Sequence, residues 1–362
     1  MQLDASSHGV YLHIPFCSKR CDYCAFATFT DRHHLTGDYL RAMRIHINMV
    51  VAQGMLPATS VFVGGGTPSM VPAEELVAVI RDIPLATNAE VTVECNPDNI
   101  TLEMMRTYRD GGVNRISIGV QSTVPHVLTA LGRTHDPENV RRSVAYVREA
   151  GFTTFNLDII YGAAGESIAD WRTTVSDVVA LDPPHVSAYG LTVEANTPLA
   201  TQPGRHPDND DQADKYEIVD ELFANNGLTN YEISNWAKSG HECKHNYLYW
   251  LQGNYDGFGC AAHAHKNGRR WWNVRTPDRY IEMVNAGEIP ESSSEMLDSE
   301  TRKLEALQLL VRVRDGVPIN ALAEQDREIM SDLITQVGDR IVLTRAGRLM
   351  ANEVSLRLRV VA

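Results

Sequence analysis

Short β-rich runs alternate with helix-like segments through the first half of the chain, and this alternation limits the fold more than any other feature. The runs are residues 10–16, 60–66, 90–96, 115–121, 155–162 and 185–192. Segments of helical period lie near 38–53, 72–82, 101–110, 137–150 and 167–181, with another at about 208–226. Several have start signals: Pro72 before Glu74 and Glu75, Thr101 before Glu103, and Asp136-Pro137-Glu138. Such alternation calls for parallel strands joined by right-handed crossovers. The expected fold class is therefore α/β, an incomplete (β/α)6 barrel, with a doubly wound open sheet as the alternative.

A chain of 362 residues is too long for one small core. Three units are expected: the partial barrel over 1–200, a capping, aromatic-rich region over 201–295, and a C-terminal winged-helix-like unit over 296–362. In the last, helices are expected at 300–313, 319–324, 327–337 and 345–358, with a hairpin-like RIVLT before the final one. The net charge of −13 argues against nucleic acid as a partner, which needs a basic face. Six cysteines in so long a chain do not make a disulfide framework, so a reducing, cytoplasmic setting is expected. MQLDASSHG lacks the features of a signal peptide, and no apolar run approaches the ~18 residues of a membrane span. Peripheral membrane contact and a homodimer are both compatible with the sequence.

Cys17, Cys21 and Cys24 follow the first strand-like run in a C-x3-C-x2-C spacing, CSKRCDYCAF. One loop can wrap an inorganic centre at that spacing. A closed structural zinc site takes four ligands, whereas a four-iron cluster held by three cysteines leaves one iron free for another ligand. The alternatives are a Cys3His zinc site completed by His13, His33 or His34, and inert buried thiols. In partial barrels the working residues sit at the carboxyl ends of strands. Polar or glycine residues recur there: Gly64-Gly65-Gly66-Thr67-Pro68-Ser69, Glu94 and Asn96, Gln121 and Ser122, with Asp158 inside the fifth run. Any one could be a turn or cap, but five successive strand ends weaken that reading.

YLHIPFCSKRCDYCAF with VGGGTPS resembles the radical S-adenosylmethionine (SAM) superfamily. SIGVQS, LGRTH and YEISNWA narrow the resemblance to the HemN/HemW group, which contains oxygen-independent coproporphyrinogen III oxidase and a haem chaperone. The resemblance runs from Tyr11 into the C-terminal unit. It implies a [4Fe–4S] cluster on Cys17, Cys21 and Cys24, with SAM chelating the free iron and taking one electron from the reduced cluster. It implies SAM contacts at Tyr11, Tyr23, Gly65, Gly66, Thr67, Glu94, Gln121, Arg133 and Asp158, the glycines receiving the amino group and Glu94 the ribose.

Two features separate the branches. The oxidase branch has a further cysteine two residues past the third ligand, where this chain has Phe26, and it has a longer N-terminal segment. His245-Asn246-Tyr247-Leu248-Tyr249-Trp250 matches the chaperone branch's HNxxYW motif, which implies haem binding by His245, Asn246, Tyr249 and Trp250. The alternative is a hydrogen-bonded structural histidine in an aromatic core. Ala163-Ala164 and Cys260-Ala261-Ala262-His263-Ala264 depart from the family pattern, and Cys243 and Cys260 are expected to be buried or incidental thiols, with extra ligands as the alternative. The expected function is a haem chaperone, with haem as cargo, haem-accepting proteins and an electron donor as partners, and the oxidase as the alternative.

Overall fold

The computed structural model describes residues 7–360; the expectation about the leading residues falls mostly outside that range. The first half is built of β1 (His8–Ile14), α1 (Thr36–Ala52), β2 (Ala58–Gly65), α2 (Ala73–Arg81), β3 (Leu85–Cys95), α3 (Leu102–Asp110), β4 (Arg115–Gln121), α4 (Pro125–Ala130), α5 (Pro137–Glu149), β5 (Thr154–Tyr161), α6 (Ile168–Ala180) and β6 (His185–Gly190). The six strands pair in parallel and in sequence order. The start signals are used as caps: Thr101 accepts from the Met104 N–H and Asp136 from the Glu138 N–H. The sheet stays open, as in an incomplete barrel.

Side chains alternate across these strands. Val10, Leu12, Val61, Val63, Val91, Val93, Ile116, Ile118, Leu157 and Ile159 are all buried in the main apolar core. Each buried Val, Leu or Ile contributes about 1.5–3 kcal/mol, which makes this face the main source of sheet–helix stability. The opposite face carries Tyr11, His13, Glu94, Ser117, Asp158 and Tyr189, and is polar because it lines cavities rather than a core.

The sheet then grows at both ends. After α7 (Asn209–Asn225), β7 (Thr229–Glu232) and β8 (Asn235–Ala237) extend it beyond β6. After α8 (Lys244–Trp250), β9 (Asn254–Phe258) pairs in parallel with β1. Then β10 (His263–Lys266), β11 (Arg269–Asn273) and, past α9 (Pro277–Asn285), β12 (Glu291–Met296) continue antiparallel, giving a twelve-stranded sheet.

The remaining elements are α10 (Ser299–Leu310), β13 (Val317–Pro318), α11 (Glu324–Ile329), β14 (Ile334–Val337), β15 (Arg340–Leu343), α12 (Arg345–Leu349) and α13 (Ala351–Ser355). They pack a second apolar core around Val311, Val317, Ile341 and Val354. The hairpin β14–β15 forms the wing. The helix expected at 319–324 is a single 3-10 turn, Ile319–Ala321. That expected at 327–337 divides into α11 and β14, because Gly338 turns the β-branched ITQV back on β15 with φ 62°. The final helix breaks at Met350, where φ is −106° and ψ 25°. Among the described residues no helix is long and apolar enough to cross a membrane.

Candidate functional site

The cysteine loop leaves the end of β1 and is fastened at its base and flank. At the base, Cys17 N–H donates to Phe29 O (3.1 Å) and Phe29 N–H to Pro15 O (2.7 Å). Inside the loop, the Arg20 guanidinium donates to Cys24 O at 3.0 and 3.2 Å. At the flank, Asp22 accepts from Arg205 at 2.8 Å, and its carbonyl from Leu199 N–H at 3.0 Å. All three cysteines are free thiols and line one cavity of about 650 Å³ at the strand ends. Burial pushes the Cys17 and Cys24 thiols up. Two of the three imidazoles weighed as a fourth ligand are engaged elsewhere: His13 with Tyr11 and Ala27, and His33 with the Cys17 carbonyl at 3.1 Å.

The turn after β2 completes one wall. Gly66 N–H donates to Ile14 O (2.7 Å) and Thr67 N–H to Phe16 O (2.9 Å). A Cβ on Gly66 would lie 2.7 Å from the Phe16 oxygen, so only glycine lets this turn close against β1. Thr67 Oγ1 lies 3.5 Å from Cys17 Sγ.

Glu94, Gln121, Arg133 and Asp158 line the same cavity. Burial, then the nearby Asp158, push the Glu94 carboxyl up to about 8. Asp158 is fixed by Ser117 Oγ (2.7 Å) and Asn156 Nδ2 (2.8 Å); burial raises its pKa against those bonds. Gln121 sits at a register shift with φ 62°, a left-handed backbone that re-aims its side chain at the strand end. Arg133 lies close to Tyr23 and all three cysteines, and its Nε is buried without a partner. Tyr23 lines the cavity and bonds Cys21. A buried, unpaired guanidinium nitrogen, an elevated carboxyl and a glycine-lined turn fit a ligand that carries a carboxylate, hydroxyls and an amino group. SAM has all three. The donor set thus fits the pair of groups implied by the sequence: three thiols for the cluster, and the remaining residues for SAM.

Tyr11 is the exception. It lies mid-strand, opposite Phe62 of β2 and Gly257 of β9, and its hydroxyl reaches His13 Nδ1 at 3.1 Å. It faces a second cavity instead. Sequence reasoning missed Gly119, where a Cβ would lie 2.9 Å from both Arg133 Nη2 and Gln121 Nε2. It also missed Asp22 and Arg205. Gly119 stands in the quoted SIGVQS and could have been found there; Arg205 carries no local signal.

The HNxxYW residues form a plug beneath the cavity. Glu90 accepts from the Lys244 and His245 N–H groups at 3.2 Å, seating the start of α8 against β3. His245 is 1% exposed. Its Nδ1 bonds Ser60 Oγ (2.9 Å), its Nε2 bonds the Tyr249 hydroxyl (2.8 Å), and its ring stacks on Phe62. Burial pushes its pKa down to about 3. Trp250 bonds Glu232 and packs near Tyr231, Tyr247 and Val313, and Asn246 is half-buried on α8. Tyr249 lines the second cavity. His245 in this arrangement has the surroundings of the structural histidine named as the alternative. Cys243 and Cys260 are buried outside the strand-end cavity, whereas Cys95, at the end of β3, is buried in its wall.

The fold and the strand-end cavity define an α/β protein that presents three thiols beside a polar ligand pocket. Comparison with known proteins narrows this class. The pattern of the Radical SAM superfamily matches residues 11–178. The chain is 40% identical to the "Heme chaperone HemW" of Mycobacterium tuberculosis, over 96% of this chain and 93% of that protein. It is 34% identical to that of Escherichia coli, over 95% and 96%. Among solved structures, coproporphyrinogen III oxidase (HemN) of Escherichia coli, a radical SAM enzyme, superposes with a TM-score of 0.82 at 21% identity, covering 97% of this chain and 89% of that one. The chain belongs to the radical SAM superfamily and, within it, to the HemN/HemW group.

Proposed function

We propose that the chain is a haem chaperone that carries a [4Fe–4S] cluster, binds SAM and hands haem to acceptor proteins. The observation that carries this reading is Phe26, 66% exposed beside the cysteine loop where the oxidase branch has a further cysteine. Full-length similarity to proteins named as haem chaperones supports it. Cys17, Cys21 and Cys24 would hold the cluster, which with SAM supplies one-electron reduction when bound. Arg133 offers a guanidinium to an anionic group, Glu94 an acceptor to hydroxyls, and the Gly65–Thr67 turn a close approach to backbone. An electron donor is the further partner this reading requires.

The test is a pair of assays on anaerobically reconstituted protein. Ferric haem is titrated and followed in the Soret band, then transfer to a haem-free acceptor is measured. In parallel, SAM, reductant and coproporphyrinogen III are supplied and protoporphyrinogen is sought. Stoichiometric haem binding with transfer and no turnover is expected. Robust turnover to protoporphyrinogen would overturn the proposal in favour of the oxidase.

A further inference from the structure

Ala163 and Ala164, which depart from the family pattern, begin the turn that follows β5. Glu166 N–H donates to Ala163 O at 3.0 Å and Gly165 has φ 76°, so residues 163–166 form a type II turn. Its second position, held by Ala164, is where such a turn favours proline, whose ring fixes φ. Alanine supplies no such restraint, yet the turn has a packing role. Ala163 is buried in a small apolar cluster with Leu131, Leu191 and Leu199, and Tyr23 packs against that cluster. Each of these partners leads to the strand-end cavity. Tyr23 and Leu191 line it. Leu131 precedes Gly132 and Arg133, which also line it, and Leu199 N–H holds the Asp22 carbonyl of the cysteine loop. A turn free to drift would carry all four with it.

An ion pair with α7 holds the turn. Glu166 is buried, and its Oε2 accepts from the Gly162 N–H at 2.7 Å, at the exit of β5. Lys215 is wholly buried beside it. An ammonium group has three N–H donors, and here there are three acceptors: Glu166 O (2.8 Å), Asp211 Oδ2 (2.7 Å) and Glu166 Oε2 (3.1 Å). Trp171 Nε1 donates to the Lys215 carbonyl at 2.8 Å and fixes the backbone that carries it. From the same helix, Gln212 Nε2 donates to Leu191 O at 2.9 Å, and a Cβ on Gly162 would lie 2.6 Å from that nitrogen. The start of α7 thus grips the segments after β5 and β6 together. A buried ion pair adds little stability over an apolar pair of similar volume, and Glu166 Oε1 is left buried without a partner. What the pair fixes is geometry, because the ammonium meets its three acceptors in one arrangement.

We propose that Glu166 and Lys215 are positioning residues for the strand-end site, restraining an alanine turn as a proline would restrain it covalently. Through Ala163 they set the apolar cluster that seats Tyr23 and, by way of Leu199, the cysteine loop. Through Leu131 they set the approach to Arg133. The proposal rests on the cluster and SAM assignments of the proposed function. It gives control of that site to two residues that do not line the cavity.

The test compares wild type, Lys215→Met/Glu166→Gln, Ala164→Pro and the three substitutions together, with thermal melts as the folding control. On cluster-loaded protein, SAM affinity is measured by calorimetry and iron loss to a chelator is timed. The double variant is expected to melt cooperatively, release iron faster and bind SAM about tenfold or more weakly, the scale of losing a residue that orients a ligand-holding one. Adding Ala164→Pro is expected to restore most of both, while the same substitution in wild type changes little. If the double variant does not fold, Glu166→Gln with and without Ala164→Pro carries the same comparison. A folded double variant with wild-type affinity and iron retention would overturn the proposal. So would an equal gain from Ala164→Pro in wild type and variant, since additive effects mean independent roles. A wild type that binds no SAM would instead overturn the SAM assignment of the proposed function. Labelling rates of Cys21 and Cys24 in the cluster-free proteins then decide the positioning role alone: they are expected to rise in the double variant and fall again with Ala164→Pro, and unchanged rates would overturn it.

Discussion

Glu94 faces the strand-end cavity with its carboxyl raised from an ordinary 4.5 to about 8, by burial first and then by Asp158. A carboxyl raised in the folded state binds its proton more tightly there than in the unfolded chain. Its proton therefore stabilises the fold at low pH, and that stabilisation is lost as pH rises from about 4.5 towards 8. At about 1.36 kcal/mol per pKa unit, the loss by pH 7 would reach roughly 3 kcal/mol in a dry site. Water entering the cavity screens part of it, leaving about 1–2 kcal/mol. Glu94→Gln keeps the shape and removes the titration. In the absence of SAM, the variant is expected to melt a few degrees above wild type near pH 8, with the gap closing towards pH 5. The measurement is thermal melting of both proteins across that range. If Glu94 accepts from the ribose hydroxyls, SAM favours the ionised carboxylate, so binding near pH 7 also releases a proton, which calorimetry in buffers of different ionisation enthalpy detects. Parallel melting curves for wild type and variant would refute the reasoning about burial, and SAM binding without proton release would refute the assigned contact.

Cys21→Ser is expected to retain less iron and sulfide after reconstitution and to lose the visible iron–sulfur absorption; full retention would remove Cys21 as a ligand. Lys215 is wholly buried between Glu166 (3.1 Å) and Asp211 (2.7 Å). Lys215→Met leaves the Glu166 carboxylate unpaired and is expected to cost about 3–5 kcal/mol in urea unfolding, with Lys215→Met/Glu166→Gln recovering much of it. Asp220 accepts from Trp236 Nε1 (2.9 Å), Arg345 Nε (2.6 Å) and Arg348 Nη2 (2.8 Å), tying α12 to α7. Asp220→Ala is expected to speed proteolytic release of the segment that begins near α10, and an unchanged digestion pattern would show that the apolar contacts suffice.

The partial barrel was legible because its strands are half apolar and their crossover helices carry caps. The lining of the strand-end cavity was legible because glycines and carboxylates recur at successive strand ends, where one turn or cap would not explain them all. The strands beyond β1 were not. ESSSEM of β12 is largely exposed and has no apolar alternation, and β9 to β11 interleave His, Tyr and Trp rather than Val and Ile. One signal was present and passed over. Asn267-Gly268, with φ of 52° and 91°, is a type I′ hairpin turn between β10 and β11. In the C-terminal unit, helix-forming residues around α11 masked the β-branched strand that follows. The role of Arg205 was invisible because its partner, Asp22, is 183 positions away and no sequence period links them.

That separation has a consequence for the order of assembly. The cysteine loop is synthesised well ahead of the guanidinium that braces it, which is added only after β1 to β6. Chains emerge N-terminus first, at about 5–20 residues per second. For roughly ten seconds or more, on that scale, the three thiols are outside the ribosome with neither brace nor cavity. On the proposed function, loading a cluster on the finished loop would therefore be a late event, after β6 has docked and Leu199 and Arg205 have closed on Asp22. Until then these cysteines behave as ordinary exposed thiols, and the interval before docking is when oxidants have their best access to them.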